Sequence, residues 1–332
     1  MSKFKVVVTD YEYSTLAPEQ DVLSEVDGVE FIAVQCQTED EVIKAAKDAD
    51  ALINQYAPIT RKVIENLPKL KIVSRYGVGV NTIDIDAATE NDVIVGNVTD
   101  YCMDEVSDHA FALLMACARK VVLLNREVKS GRWDFKVSVP IYRLRGSVLG
   151  LIGLGRIPQL LAAKAQAFGM KVVAFDPFVP KHVAEGLQVE LLELNELCAQ
   201  ADFVSVHAPL IESTKGMIGE EQFKAMKKEA FIINTARGPV IDEQALIAAL
   251  EQGEIAGAGL DVVEEEPIQE DNPLLKMDNV IINPHVAWYS EEAQLELKRK
   301  TAQNVADVLN GFYPSYLFNS NVKETVKLKN RN

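Results

Sequence analysis

Short runs of β-branched and aliphatic residues alternate with segments of helical period along the chain. A first series reads "KVVVTD", "ALINQY", "KIVSRY" and "VIVGNV", with helical patterns such as "EDEVIKAAKDA" and "TRKVIENLP" between the strands. A second series reads "VLGLIG", "KVVAFD", "FVSVHA", "FIINTA", "AGAGLDVV" and "VIINPH". Strands this apolar need cover on both faces, and helices between them supply it, so both series predict βαβ units around a parallel sheet. The expected fold class is α/β, with two doubly wound domains.

Between the two series the pattern predicts one long helix over residues 104–130, with Asp104 as N-cap and Gly131 as its stop. Val106, Ala110, Leu113, Cys117, Val121 and Leu124 share one stripe, and Phe111, Met115 and Val122 lie on a second face. A helix apolar on more than one side must be buried on more than one side. Either a large internal core or a subunit interface meets that need, and the length of the helix favours an interface between two copies. A last helix is expected over 290–312, followed by a polar, loose tail, "VKETVKLKNRN".

Composition narrows the function. A chain of 332 residues accommodates two domains, and a net charge of −15 opposes nucleic acid or an anionic membrane surface as partner. It does not oppose a small anionic substrate, because one local arginine outweighs distant charge. Cys36, Cys102, Cys117 and Cys198 have no metal-ligand or redox spacing and read as reduced, buried thiols of a cytoplasmic protein. "MSKFKVVVTD" reads as a first strand rather than a signal peptide, and "AFALLMACA" is too short to span a bilayer. No metal cluster, nucleophile constellation or phosphate-transfer loop stands out.

"VLGLIGLGRIP" has the order of a dinucleotide turn, but Pro158 replaces its third glycine. The first glycine makes the tight turn and the second admits the pyrophosphate, and Gly153 and Gly155 keep both roles. The third serves helix packing, and proline in the first helical turn forfeits no helix bond. The N–H groups of Arg156 and Ile157 are then expected to face a phosphate. "KVVAFDP" ends in Asp176, 23 residues after Gly153, where a carboxylate meets the adenosine ribose and repels the extra phosphate of NADP. NAD is the expected cofactor.

Further chemistry lies at strand ends, where open α/β sheets bind ligands. His285 follows "NP", Glu266 lies in "LDVVEEEP" and Arg237 in "NTARGPVID". A histidine that donates a proton near neutral pH benefits from a carboxylate partner, and an arginine grips a carboxylate with two parallel hydrogen bonds. Beside a nicotinamide, such a set would reduce a 2-keto acid to a 2-hydroxy acid. Spacing alone does not bring the three together. Of the other histidines, His109 is expected to be structural and His182 exposed.

In order, "LGLIGLGRIP", "VHAPL", "NTARGPVID", "GLDVVEEEP" and "NPHVAWYS" resemble the D-isomer-specific 2-hydroxyacid dehydrogenases over nearly the whole chain. "SRYGVGVNTID" looks like that family's substrate-side loop, and "HVAWYS" is similar to its C-terminal-binding-protein branch. The resemblance implies a split, flavodoxin-like substrate domain from residues 1–100 and 289–332, and a central Rossmann NAD domain over 101–288. It implies His285 as acid/base, Glu266 as its partner, and Arg237 as carboxylate clamp. For the cofactor it implies Gly153, Leu154, Gly155, Arg156, Ile157, Asp176, His207, Ala208, Pro209, Thr214, Thr235, Ala236, Arg237, Asp261 and His285, with Asp261 near the nicotinamide. Arg75, Val78, Gly79 and Trp288 would bind substrate, and the 104–130 helix would form a homodimer.

The expected activity is that of an NAD-dependent D-2-hydroxyacid dehydrogenase. Phosphoglycerate dehydrogenases of this family place an arginine in the loop after the second predicted strand, whereas this chain has Asn54, Gln55 and Tyr56 there. With no room for a regulatory domain after the last helix, a non-phosphorylated substrate is expected. Phosphoglycerate dehydrogenase and glyoxylate or hydroxypyruvate reductase remain alternatives within the class. A dinucleotide-sensing interaction protein of the C-terminal-binding-protein type is an alternative outside it.

Overall fold

In the computed structural model, which describes residues 3–331, the chain begins with β1 (Phe4–Val8), α1 (Ala17–Leu23), β2 (Val29–Ala33), α2 (Glu39–Ala45) and β3 (Ala51–Asn54). It continues through α3 (Arg61–Glu65), β4 (Ile72–Arg75), α4 (Ile85–Glu90) and β5 (Ile94–Gly96). Next come α5 (Met103–Arg119), α6 (Val121–Lys129), β6 (Val148–Ile152), α7 (Arg156–Ala167), β7 (Lys171–Phe175), α8 (Lys181–Gly186) and β8 (Glu190–Leu191). The last elements are α9 (Leu194–Gln200), β9 (Phe203–Val206), α10 (Glu220–Ala225), β10 (Phe231–Asn234), α11 (Glu243–Gln252), β11 (Gly257–Leu260), β12 (Val280–Ile282) and α12 (Glu291–Leu309).

These elements form two units, Met1–Cys102 with Ser290–Asn332, and Met103–Tyr289. The first holds a parallel sheet in the order β2-β1-β3-β4-β5, the flavodoxin-like arrangement. Val6, Val7, Val8, Leu52, Ile53, Ile72, Val73 and Ile94 are fully buried there. The unbroken apolar runs are thus explained by helices on both faces. α12 is tied to this sheet from the far end of the chain, where Asn304 Nδ2 donates to the Asn97 carbonyl at 2.9 Å.

The second unit holds a parallel sheet in the order β12-β11-β10-β9-β6-β7-β8. Counted within the unit this is 7-6-5-4-1-2-3, a Rossmann order with one added strand. Its two halves part between β6 and β9. Leu149, Leu151, Ile152, Val204, Val206, Ile232 and Ile233 are fully buried. Each contributes about 1.5–3 kcal/mol of transfer free energy, so the core rather than helix propensity holds the unit together.

Three expectations need correction. The single helix over 104–130 is two helices, because Lys120 turns left-handed at φ 53° and its N–H closes the last turn of α5 on the Cys117 carbonyl. Asp104 therefore lies in the first turn of a helix beginning at Met103 rather than capping it. The stripe divides with the helix: Val106, Ala110, Leu113 and Cys117 are buried, while no residue of α6 is. Gly131 does follow the stop, at φ 94°, with Arg132 N–H bonded to the Glu127 carbonyl.

The polar tail is docked. Lys329 exchanges backbone hydrogen bonds with Gly311 and Tyr313, and Arg331 lies 2.6 Å from the buried carboxylate of Asp307. All four cysteines are free and buried. Among the described residues, no helix is long and apolar enough to cross a membrane, and no cluster of three or more His, Cys, Asp or Glu could hold a metal.

Candidate active site

The point where the second sheet reverses is built around Gly153. This residue has φ 93°, and a Cβ on it would lie 3.2 Å from the backbone carbon and oxygen of His207. A side chain would be strained and crowded, so the sharp turn requires glycine. Gly155 differs: a Cβ there meets nothing within 4 Å. The space beside its backbone is open, as a phosphate cradle requires. α7 starts at Arg156, and its first ladder bond runs from Gln159 N–H to the Gly155 carbonyl. Pro158 is buried at the third helical position without removing a helix bond.

Asp176, just past β7, is pinned beside this turn. Its carboxylate accepts from the N–H groups of Leu154 at 2.8 Å, Phe178 at 2.8 Å and Val179 at 3.0 Å. His207 follows β9, and its Nε2 is 2.8 Å from Ser205 Oγ. Desolvation pushes that imidazole down to about 3, so it is neutral at physiological pH. Ala208 is buried beside it. The Thr214 hydroxyl donates to the Pro209 carbonyl and accepts from Ile211 N–H, which shapes the loop after β9. Thr235 leaves a buried hydroxyl without a partner among the described residues. An open glycine cradle, an orphaned hydroxyl and a fixed carboxylate at one sheet edge fit a dinucleotide.

Arg237, Glu266 and His285 follow three neighbouring strands. Because β10, β11 and β12 lie side by side, the loops that follow them are adjacent. Arg237 stands three residues past β10, where the Asn234 side chain latches the turn to Ala236 N–H and the Arg237 carbonyl. Its guanidinium donates to the Ala236 carbonyl at 2.7 Å. Gly238 packs against backbone, since a Cβ on it would lie 2.5 Å from Glu264 N and closer still to the Val263 carbonyl. That close approach carries Arg237 toward the loop bearing Glu266.

Glu266 Oε2 lies 2.7 Å from His285 Nδ1, and Glu266 Oε1 accepts from Val263 N–H at 3.3 Å. Burial raises the proton affinity of the Glu266 carboxyl, but the hydrogen bond and charge of His285, the Val263 N–H and the field of Arg237 outweigh it. The carboxyl ends below its ordinary range. Asp261 serves the same turn from behind. It is 1% exposed, and its carboxylate accepts from Val286 N–H at 2.9 Å and Ala287 N–H at 2.8 Å. Desolvation raises its proton affinity despite those bonds.

Trp288, in this unit, packs edge-on against Tyr289 with ring centroids 5.6 Å apart. Arg75, Val78 and Gly79 belong to the first unit, at the end of β4 and in the loop after it. The loop with Gln55 and Tyr56 follows β3, not the second strand, because Val29–Ala33 forms a strand the pattern did not reveal. Its tip is held by Asp10, whose carboxylate accepts from Gln55 N–H at 3.1 Å and Tyr56 N–H at 2.5 Å. Sequence reading also missed a buried ionic group behind β4. Tyr76 donates to Glu19 at 2.7 Å, and Lys298 lies 3.7 Å from the same carboxyl.

Residues 111–287 match the family model described as "D-isomer specific 2-hydroxyacid dehydrogenase, NAD binding domain". The chain belongs to this family. Its cofactor is NAD, bound by the unit that carries the glycine turn. The glyoxylate reductase of Korarchaeum cryptofilum is 42% identical over 292 residues, 87% of each chain. The D-3-phosphoglycerate dehydrogenase of Methanocaldococcus jannaschii is 44% identical over 309 residues, 92% of this chain, and this chain spans only 58% of its length. The solved TT0316 protein of Thermus thermophilus superposes with a TM-score of 0.86 at 32% identity, covering 94% of this chain and 99% of that one.

Proposed function

We propose that the protein is an NAD-dependent D-2-hydroxyacid dehydrogenase that reduces a small, non-phosphorylated 2-keto acid, with His285, Glu266 and Arg237 as its catalytic residues. The observation that carries the reading is the 2.7 Å bond between His285 Nδ1 and Glu266. With Nδ1–H spent on the carboxylate, Nε2 is the ring nitrogen left to meet substrate. In its protonated form His285 gives the Nε2 proton to the substrate carbonyl oxygen. It is left as the neutral Nδ1–H tautomer, still held by Glu266. Arg237 grips the substrate carboxylate and draws charge toward the carbonyl oxygen. NADH, when bound, supplies the hydride that adds to the keto carbon. Oxidation of the hydroxy acid runs through the same groups in reverse.

Gly153, Leu154, Gly155, Arg156 and Ile157 would hold the pyrophosphate, and Asp176 the adenosine ribose. His207, Ala208, Pro209, Thr214, Thr235, Ala236 and Asp261 would line the rest of the cofactor site. Arg75, Val78, Gly79 and Trp288 are the proposed substrate contacts. Against a phosphorylated substrate stands Asp10, which takes the Gln55 and Tyr56 N–H groups and brings negative charge to that loop. This favours the glyoxylate reductase side of the family over the phosphoglycerate side. Likeness to the C-terminal-binding-protein branch rests on Trp288 alone, and the four reduced thiols support a cytoplasmic location.

We place the homodimer contact beyond the bend at Lys120. Val121, Val122 and Val128 of α6 are exposed, as are Trp133 (89%), Phe135 (73%) and Tyr142 (61%) in the following segment. Exposed apolar side chains gathered in one stretch of chain suit a partner copy. The test of the mechanism is His285→Ala: turnover is expected to collapse while NADH still binds. Undiminished turnover would remove His285 from the reaction.

A further inference from the structure

His285 holds a left-handed backbone, φ 53°, which disfavours any residue but glycine by about 1–2 kcal/mol. Such a conformation persists only where neighbours over-determine it, and here the neighbours are identifiable. On the C-terminal side, the Asp261 carboxylate holds the N–H groups of Val286 and Ala287. The N–H of His285 itself donates to the Asp261 carbonyl at 2.8 Å. On the N-terminal side, Asn283 N–H donates to the Leu260 carbonyl at 2.8 Å.

One side chain reaches both holders. His109, on the part of α5 that packs against β10 and β11, places Nε2 3.2 Å from Asn283 Oδ1 and 3.5 Å from Asp261 Oδ1. Both facing atoms are acceptors, so Nε2 carries a hydrogen shared between them. We propose that His109 is a positioning residue for the acid/base: by donating to Asn283 and Asp261 it clamps both flanks of the strained His285 turn. The inference rests on the role proposed above for His285 and adds a residue that touches neither substrate nor the reacting ring. It also gives the buried Asp261 carboxylate a donor beyond its two backbone N–H groups.

The charged surroundings of His109 are Asp261 at the sheet edge, Asp104, Glu105 and Asp108 on its own helix, and Lys164 of α7, which lies 2.7 Å from Asp108.

The test compares His109→Leu, His109→Gln and His109→Asn in the full chain. A glutamine amide extends to about where Nε2 stands, and the shorter asparagine does not. His109→Leu is expected to lose roughly 10- to 100-fold in kcat, because misplacing a reacting group by about 1 Å costs this much. NADH affinity should stay within about threefold, so that the loss falls on kcat alone. His109→Gln should recover most of the kcat. Unchanged kcat in a folded His109→Leu would overturn the proposal, as would equal losses in the Gln and Asn variants. If the leucine variant does not fold, the Gln-to-Asn comparison decides alone. Failure of the wild-type chain to turn over any 2-keto acid would instead overturn the proposed function, so the two failures are distinguishable.

Discussion

Replacing Gly238 by alanine tests how closely the Arg237 and Glu266 loops must approach. The new Cβ would lie 2.5 Å from Glu264 N and closer to the Val263 carbonyl, and both neighbours are backbone that has no rotamer to swing aside. Ordinary contact needs about 3.5 Å, so the two loops must part by about 1 Å or more. Glu266 moves with Val263, whose N–H it accepts. A displacement of about 1 Å costs roughly 100-fold in kcat, near 2.7 kcal/mol of barrier. The overpacking adds about 1–3 kcal/mol of instability, a fall of several degrees in Tm for a unit of this size. Steady-state NADH oxidation and calorimetry read the two effects. Gly155→Ala is the contrast: nothing lies within 4 Å of its Cβ, so Tm should hold while the NADH Kd rises about tenfold or more. A Gly238→Ala variant with wild-type kcat would refute the argument that this approach sets the site.

Two other outcomes are expected. Asp176→Ala should narrow the preference for NADH over NADPH, read as the ratio of kcat/KM values; an unchanged ratio would mean the ribose is read elsewhere. His207, pushed from its ordinary 6.5 down to about 3 by desolvation, makes stability fall with acid, because the unfolded chain takes up a proton that the folded chain refuses. Its contribution is absent above pH 6.5 and reaches up to about 2 kcal/mol at pH 5. His207→Gln should flatten the pH dependence of urea unfolding over that range, and an equal slope would show that other groups set it.

Most strands were legible because a buried parallel sheet demands unbroken apolar runs. The Val29–Ala33 strand was not, since it is an edge strand whose apolar run is interrupted by the exposed Glu30. The bend at Lys120 was hidden because apolar residues keep helical spacing straight through it, while the backbone does not. The docking of the tail depends on Asp307, whose fully buried carboxylate reads in sequence as one polar residue of an ordinary helix. At the site, the glycine turn and Asp176 were legible from spacing, because each serves a local turn. The meeting of Glu266 and His285 was not, since it depends on β11 and β12 being adjacent. His109 could not be read as a holder of the His285 turn, because nothing local marks a helical side chain that reaches a strand end 174 residues away.

The most direct measurement is NADH oxidation by the wild-type chain against 2-keto acids with and without a phosphate group, with the product's handedness determined. Turnover of a non-phosphorylated acid at about 1 s⁻¹ or faster, giving the D-hydroxy acid, is the expected result. Tight NADH binding with no acid reduced, or an L product, would contradict the account.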